Sequence, residues 1–377
     1  MPRSFSRFLL APDSFKGTMT AQEVCDIWEN AIRRRLPDAR VRRLPMSDGG
    51  EGLTAFFLRQ KNGSAQFVDV PDPFGTPVRA CYAMLPDHTA AIEAAACVGL
   101  PLVEGRKNPL RATTRGLGMM LLDAASRGAK RIVLGLGGSC TNDCGIGMAE
   151  SLGFRFYDAD HGPLEALPSN MRRVACVEPP VRNPLEAITV CAACDVDNPL
   201  LGENGATYTF APQKGADARM LPELERGMQN MARVIERDLK KRVSQTPGAG
   251  AAGGLGAAVP AFLGGSLTSG IDLLLDEADF DRLLEETDVV WTGEGCIDAQ
   301  SARGKVPVGI ARRCKKRNIP CIALCGSAAQ DISSVYGEGI TAVLTALARP
   351  GDMSLVKETC RDDMDALADA LMRLMLC

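Results

Sequence analysis

Hydrophobic residues near the start of the chain fall into short apolar runs separated by stretches with helical spacing. Phe8–Ala11 is a short apolar run that predicts a buried strand. Thr20 and Glu23 have the spacing of a helix capping box, and apolar residues then recur at helical intervals. A second strand is predicted at Val41–Leu44, with a helix beginning at Glu51. Two strand–helix units in succession indicate a parallel α/β sheet.

The C-terminal part of the chain has the same pattern. It predicts three strands, at Asp288–Thr292, Pro320–Cys325 and Ile340–Leu347, with a helix near Val308–Arg317. A last helix is predicted from apolar residues that share one face, namely Met364, Leu367, Leu371 and Leu374. Together with the two N-terminal strands, these elements predict one doubly wound, flavodoxin-like parallel sheet. That domain would be built from both chain ends, residues 1–60 and 285–377.

The middle of the chain has a different pattern. Gln66–Val70 and Val78–Leu85 flank a turn-rich segment, which is typical of antiparallel strands. A helix near Gly116–Arg127 leads into an apolar strand at Arg131–Leu136. Residues 61–284 are therefore expected to form a second, mixed α/β domain inserted into the first.

Composition excludes several classes of protein. Of 377 residues, 46% are hydrophobic and 24% are charged, as in ordinary soluble proteins. A net charge of -3 argues against nucleic-acid binding, and no apolar stretch reaches the length of a membrane span. The first apolar run is too short for a signal peptide core. Fourteen scattered cysteines favour reduced thiols and a cytoplasmic location.

Cys191 and Cys194 form a lone CxxC pair at the end of an apolar run. Residues three apart on a strand point to opposite faces, so structural thiols are favoured over a metal or redox site. The only two histidines, His88 and His161, offer no recognisable arrangement with them.

Polar or glycine-rich loops follow four strands of the first predicted sheet. They begin at Asp13, Ser47, Gly293 and Gly326. In an open parallel sheet, ligands bind outside the carboxyl ends of the strands, so these loops are expected at one edge. The chemical groups they carry are carboxylates, hydroxyls and lysines.

Two loops of the inserted domain carry comparable chemistry. The strand at Arg131–Leu136 runs into Gly137–Asp143, whose glycines and hydroxyls suit a phosphate group. Asp143 could hold Mg²⁺ or cap a helix. The acids of Asp195–Asn198 could likewise bind Mg²⁺ or form an Asx turn.

Three further sequence features bear on the chemistry of the chain. Lys214 and Lys305 each place a cation in a loop, as the transferring group of a kinase requires. The run Gly248–Gly253 matches GxGxxG but follows a predicted helix rather than a strand, so a nicotinamide site is rejected and a phosphate loop is kept open. The sequence contains neither a Walker A motif nor the protein-kinase motifs.

Eight motifs, in this order, resemble the type I glycerate kinase family. They are APDSFKGTMTA (11–21), SDGGEG (47–52), GLGGSCTNDCGIGM (135–148), CDVDNPLLGENGAT (194–207), PQKGA (212–216), PGAGAAGGLGAA (247–258), SGIDLLLD (269–276) and TGEGCIDAQSARGKVPVGIA (292–311). The resemblance spans nearly the whole chain. It implies ATP-dependent phosphorylation of D-glycerate to 2-phosphoglycerate, by two α/β domains with the active site in the cleft between them. The acidic loops add the expectation that the reaction uses Mg²⁺.

The residues themselves suggest roles within this reaction. The candidate catalytic residues are Asp195, Lys16, Asp48 and Glu294. The candidate nucleotide and phosphate ligands are Gly137, Gly138, Ser139, Thr141, Asn142, Lys214, Gly250 and Gly253. The candidate substrate ligands are Asp13, Ser14, Ser47, Arg111, Asp298 and Lys305, and the candidate metal ligands are Asp143 and Asp195.

Alternatives remain at this stage. The product could be 3-phosphoglycerate, or the substrate a related hydroxy acid. The chain could also be a non-catalytic ligand-binding protein on the same scaffold, or an oxidoreductase that uses the Gly248 run. The expected partners are the small molecules glycerate and ATP, without nucleic acid or membrane, and a homo-oligomer is left open.

The sequence departs from the family pattern at two positions. Cys144 stands where the pattern GGSxTNDGG places a glycine, and Cys296 stands where GEGRID often carries an arginine. If that arginine clamps a carboxylate or phosphate, another group must replace it. Arg111, Arg115 and Arg303 are the candidates.

Overall fold

The computed structural model describes residues 5–47, 52–298, 301, 305–347 and 353–377. Its strands are β1 (Arg7–Pro12), β2 (Arg40–Arg43), β3 (Ser64–Pro71), β4 (Pro77–Met84), β5 (Thr89–Glu93), β6 (Arg131–Gly135), β7 (Arg155–Tyr157), β8 (Pro163–Leu164), β9 (Cys176–Glu178), β10 (Thr189–Ala193), β11 (Ser266–Thr268), β12 (Val289–Gly293), β13 (Cys296–Ile297), β14 (Cys321–Cys325), β15 (Ser327–Ala328) and β16 (Ala342–Thr345).

Helices follow most of these strands. They are α1 (Ala21–Arg35), α2 (Leu53–Gln60), α3 (Ala95–Val98), α4 (Arg115–Ser126), α5 (Ile146–Ser151), α6 (Ala206–Phe210), α7 (Met220–Leu239), α8 (Ala251–Phe262), α9 (Gly270–Glu277), α10 (Phe280–Glu285), α11 (Val306–Lys316), α12 (Ser333–Gly337) and α13 (Met353–Met375). None of the helices in the described ranges has both the length and the apolar character needed to cross a lipid bilayer.

The chain divides into two compact units. The first comprises residues 1–48 and 271–377, and the second residues 49–270. Helices α9 and α10 therefore belong to the first unit. Their acidic residues bind one side chain of α11, because Arg313 donates to Asp276 and Asp281 at 2.7 Å each.

The sheet of the first unit has five parallel strands in the order β16-β14-β12-β1-β2. Counted along this unit, the order is 2-1-3-4-5, that of a flavodoxin-like fold, which confirms the predicted fold class. Its core includes Trp28 and Trp291, whose rings meet edge to face with centroids 6.1 Å apart.

The helices of the first unit show where periodicity was reliable and where it was not. The capping box of α1 is present, since Glu23 N donates to Thr20 Oγ1 at 3.2 Å and Thr20 N donates to Glu23 Oε2 at 2.8 Å. Met364 and Leu371, on the predicted apolar face of α13, are buried, but Leu374 is exposed. Leu374 lies one residue before the end of the helix, beyond Met372, where the buried face ends.

The second unit contains a six-stranded mixed sheet in the order β11-β10-β6-β5-β4-β3. Strands β3 and β4 are antiparallel, with Val70 opposite Val78, as the turn-rich segment between them predicted. Strands β5, β6, β10 and β11 are parallel. A three-stranded antiparallel sheet, β8-β7-β9, completes the unit. The two loops that carry candidate ligand groups in this unit follow the carboxyl ends of β6 and β10.

Candidate active site

Loops that follow β1, β12 and β14 meet at one edge of the first sheet. Asp13 N donates to Gly293 O at 2.8 Å, and Gly326 N donates to Glu294 O at 3.1 Å. Strands β13 and β15 extend this contact, with Cys296 opposite Ser327. Since β1 and β12 are neighbours, the loops flank the point where the strand order reverses. Ligands of such sheets bind at this switch point.

The loop after β12 carries a compact cluster of two carboxylates, a hydroxyl and an ammonium group. Ser301 Oγ donates to Glu294 Oε1 at 2.7 Å. The Lys305 ammonium lies 3.5 Å from Glu294 Oε2 and 3.3 Å from Asp298 Oδ1. These contacts bring together Glu294, Asp298 and Lys305, which the sequence nominated separately.

The two carboxyl groups of this cluster differ in acidity. Burial raises the pKa of Glu294, and the Ser301 hydroxyl and Lys305 ammonium only partly oppose it. Burial also acts to raise the pKa of Asp298, but hydrogen bonds from Ser301 and the charge of Lys305 lower it overall. An ionised carboxylate, an ammonium group and a carboxyl poised to exchange a proton therefore share one site.

Sequence reasoning missed Ser301, which is fully buried and orients both acids. Its N–H donates to Asp298 Oδ1 at 2.9 Å, and Asp298 N donates to Ser301 Oγ at 3.1 Å. The Asp-x-x-Ser spacing of residues 298–301 was the signal that could have identified it.

The remaining candidates of the first unit occupy the loops after β1 and β2. Asp13 is buried, and its Oδ1 accepts from Ser14 N at 2.7 Å. Ser47 is buried, whereas Lys16 is exposed. Asp48, a predicted catalytic residue, lies outside the described residues.

In the second unit, Lys214 reaches the glycine-rich loop after β6. Its ammonium group donates to Ser139 Oγ at 3.2 Å and to Thr141 O at 2.7 Å. Lys214 is only 2% exposed, and burial lowers its pKa to about 8. Gly137 and Gly138 of the same loop are exposed, and Gly138 has a φ of +75°. The loop thus presents exposed backbone beside a buried positive charge.

Asp143 ends this loop as a structural anchor. Its Oδ2 accepts from Thr114 N at 2.8 Å, Thr114 Oγ1 at 2.7 Å and Gly147 N at 3.3 Å, while Oδ1 accepts from Gly145 N at 3.1 Å. Burial raises the pKa of Asp143, and these donors act against that rise. Because Asp143 is fully buried, these contacts favour the capping interpretation over the metal interpretation.

Two buried polar atoms of the loop lack hydrogen-bond partners in the described part of the chain. They are Thr141 Oγ1 and Asn142 Oδ1. The other amide atom of Asn142 donates to Thr207 Oγ1 at 3.4 Å. Buried polar groups are almost always satisfied, so unpaired atoms beside a buried ammonium group are compatible with a polar ligand.

The GxGxxG run packs against this loop. A Cβ on Gly253 would lie 2.0 Å from Thr141 O, and one on Gly250 would lie 2.2 Å from Pro199 O. Ala252, Gly253 and Gly254 all have left-handed backbone conformations. The two candidate glycines are thus needed where the chain approaches its own backbone closely.

Asp195 follows β10 and binds Ser269 and Gly270, which lie in the same unit. Its Oδ1 accepts from Gly270 N at 2.7 Å and from Ser269 Oγ at 3.3 Å. Within the described ranges, no three His, Cys, Asp or Glu side chains are grouped to hold a metal ion. Any metal bound here would take one or two carboxylates from the protein and the remaining ligands from substrate and water, which is how Mg²⁺ commonly binds with nucleotides.

The arginines and cysteines are placed as follows. Arg111 is exposed, while Arg115 is paired with Glu150 at 2.6 Å. Arg303 lies outside the described residues. Cys296 is exposed, but Cys144 is fully buried with a φ of +53°. The Cys191–Cys194 pair consists of free thiols, and Cys194 Sγ contacts Val196 O at 3.3 Å.

The first unit is a doubly wound sheet with acidic and lysine-bearing loops at its switch point. The second is an α/β unit with a glycine-rich loop. Together these features are those of an enzyme of the small-molecule kinase class. A model of the glycerate kinase family matches residues 8–376, and the chain belongs to this family. Membership of this kinase family implies the use of ATP.

Known relatives support this assignment. The glycerate kinase of Halalkalibacterium halodurans is 40% identical over 344 residues, 90% of each chain. The glycerate 2-kinase of Escherichia coli K12 is 39% identical over 350 residues, 92% of each chain. A crystal structure assigned as glycerate kinase 2 from Salmonella typhimurium LT2 is similar with a TM-score of 0.86 and 34% identity, covering 99% of both chains.

Proposed function

We propose that this enzyme transfers the γ-phosphoryl group of ATP to the 2-hydroxyl group of D-glycerate in the presence of Mg²⁺, giving 2-phosphoglycerate. The observation that carries the proposal is the near full-length similarity to a relative named glycerate 2-kinase, at 39% identity. The cluster after β12, in which Glu294 is buried and Lys305 is partly exposed, supplies groups that such a transfer needs. Catalysis would come mostly from positioning and electrostatics.

The first unit would bind and activate glycerate. Lys16 and Lys305 would bind the carboxylate of glycerate, and Asp13, Ser14, Ser47 and Asp298 would bind its hydroxyl groups. Glu294 would accept the proton of the attacking hydroxyl, since its raised pKa makes it a stronger base than an ordinary carboxylate. Ser301 would hold the Glu294 carboxylate in place.

The second unit would bind the phosphates of ATP. The backbone of Gly137 and Gly138, the Ser139 hydroxyl and the Lys214 ammonium are its candidate ligands, and Arg111 is a further cation. Asp195 would bind Mg²⁺ through carboxylate oxygen, with the other metal ligands supplied by phosphate and water. Mg²⁺ would neutralise the charge that develops on the phosphates.

A coupled assay tests the product. The enzyme is supplied with ATP, Mg²⁺ and D-glycerate, and enolase and pyruvate kinase convert any 2-phosphoglycerate to pyruvate. Pyruvate without added phosphoglycerate mutase is the expected result. Pyruvate only after the mutase is added would identify the 3-isomer, and no pyruvate in either case would contradict the proposal.

Dependence on Mg²⁺ needs a separate measurement, because both coupling enzymes also use it. ADP formation is followed by chromatography with and without excess EDTA, and reactions lacking D-glycerate serve as the blank. ADP formation should fall to the blank when the metal is removed.

A further inference from the structure

Lys214 is a buried ammonium group that, within the described part of the chain, donates hydrogen bonds to two neutral oxygens. These are Ser139 Oγ at 3.2 Å and Thr141 O at 2.7 Å. Lys214 is 2% exposed, and it forms no ion pair with any carboxylate of the described residues. A buried charge is costly unless an opposite charge or metal compensates it. The uncompensated charge indicates that an anion is the missing partner.

The carboxylate whose charge acts on Lys214 does not provide that partner. Asp143 raises the pKa of Lys214 through its charge, but its two carboxylate oxygens accept four hydrogen bonds from Thr114, Gly145 and Gly147. Those donors hold the carboxylate between the starts of α4 and α5. Asp143 therefore compensates Lys214 only partly.

Two unpaired polar atoms mark the same place. Thr141 Oγ1 and Asn142 Oδ1 are buried in the loop that accepts from Lys214, and neither has a hydrogen-bond partner in the described ranges. Exchanging the two amide atoms of Asn142 would leave its nitrogen unpaired instead, as a donor. The neighbouring Gly137 and Gly138 are exposed, which gives a ligand a route to the loop. A hydroxyl and an amide beside an ammonium group match the oxygens of a phosphate.

We propose that the Lys214 ammonium, the Thr141 hydroxyl and the Asn142 amide form a subsite for a phosphate oxyanion, and that the protein takes up a proton when the anion binds. The inference rests on the proposed function, because the kinase reaction supplies the phosphate-bearing ligands. The phosphate belongs either to the nucleotide or to the phosphorylated product, and the experiment separates these two sources.

Proton uptake follows from the charges around Lys214. Burial lowers its pKa to about 8, against the raising effects of Cys140 and Asp143. A second ammonium group, that of Lys107, donates to the carbonyl oxygen of Gln213, the residue before Lys214, at 3.2 Å. A bound phosphate adds negative charge and raises the pKa of Lys214. Near pH 8, molecules in which Lys214 is neutral must then gain a proton on binding.

Isothermal titration calorimetry measures this uptake. ADP, and separately 2-phosphoglycerate, is titrated into the full-length protein at pH 8 without metal, in two buffers with different ionisation enthalpies. The dependence of the binding enthalpy on the buffer gives the number of protons taken up. For the wild type we expect about half a proton for the ligand whose phosphate occupies the subsite.

Four variants test whether Lys214 takes up the proton and whether Thr141 binds the anion. Lys214→Met should abolish uptake and weaken binding, while Lys214→Arg should retain binding without uptake, because arginine stays protonated. The exposed Lys241 provides a matched control, and Lys241→Met should behave as the wild type. Thr141→Val should weaken anion binding about tenfold and leave folding intact, since it removes an unpaired buried hydroxyl.

The outcomes separate the subsite from the enzyme's reaction. Uptake with ADP alone assigns the nucleotide phosphate, and uptake with 2-phosphoglycerate alone assigns the product phosphate. Absence of uptake with both ligands, or unchanged uptake in Lys214→Met, overturns the subsite. If Lys214→Met does not fold, Lys214→Arg and Thr141→Val test the subsite. Proton uptake that persists in Lys214→Arg, or anion binding that is unchanged in Thr141→Val, overturns it. If the coupled assay still yields pyruvate, the proposed function stands even though the subsite is wrong.

Discussion

At the scale of single residues, Cys144 shows how a departure from a family pattern acquires a physical meaning. The pattern has glycine at this position, and the sequence alone could register only the difference. In the structure Cys144 has a φ of +53° and is fully buried. A left-handed conformation favours glycine, because any Cβ there crowds the following carbonyl group. The substitution therefore concerns backbone strain in the loop, and Cys144 makes no contact that assigns it a chemical role.

Replacing Cys144 by alanine and by glycine isolates this strain. Both changes remove the buried thiol, but only glycine removes the Cβ. Cys144→Gly should be more stable than Cys144→Ala by about 1 kcal/mol, the cost of a left-handed residue that carries a side chain. Urea unfolding of both variants measures the difference in the free energy of unfolding.

The control for this comparison is Cys97, a buried cysteine in α3 outside the left-handed region. There the order should reverse, with alanine more stable than glycine by about 0.5–1 kcal/mol. Equal stability of the two Cys144 variants would contradict the assignment of strain.

At the scale of elements, the start of α8 explains a motif that the sequence left ambiguous. Its GxGxxG spacing suggested a phosphate loop, yet Gly250 and Gly253 lie against the protein's own carbonyl groups. Gly253 approaches Thr141 O, whose carbonyl also accepts from Lys214. Gly253 therefore packs directly against the loop after β6, whereas Gly250 packs against Pro199 O, and the effect of both glycines on phosphate binding would be indirect.

A Gly253→Ala substitution tests this support. The added Cβ would lie 2.0 Å from Thr141 O, so the loop must shift. Gly264 is a matched control, since its φ is +64° but a Cβ there would meet nothing within 4 Å. Both variants carry the left-handed strain, and Gly253→Ala should lose a further 1–3 kcal/mol or so from overpacking. Urea unfolding measures the stability, and Gly253→Ala should also raise the KM for ATP. Equal losses in the two variants would show that the loop accommodates the side chain.

At the scale of the whole molecule, the fold was predictable and the chemistry of the site only partly so. Parallel strands such as β1 and β12 are continuous apolar runs, and their carboxyl ends identify the functional edge. Burial was not predictable, because it depends on contacts between distant segments. In the sequence nothing distinguishes Lys214 from other loop lysines, because its hydrogen-bond partner Ser139 lies 75 residues away along the chain. The contact of Thr114 with Asp143, 29 residues along the chain, was not predictable for the same reason.

Separate cores in the two units lead to a prediction for the molecule as a whole. Both tryptophans, Trp28 and Trp291, lie in the core of the first unit, whereas Met228 lies in the core of the second. Tryptophan fluorescence therefore reports unfolding of the first unit alone, while far-UV circular dichroism reports both.

Met228→Ala should cost about 2–5 kcal/mol in the second unit. In urea it should move part of the circular dichroism transition to lower concentration and leave the fluorescence midpoint unchanged, because multi-domain proteins commonly depart from two-state unfolding. Leu324→Ala, in the core of the first unit, should instead move the fluorescence midpoint. If Met228→Ala shifts the fluorescence and circular dichroism midpoints equally, the two units unfold cooperatively. The prediction of separate unfolding transitions would then be wrong.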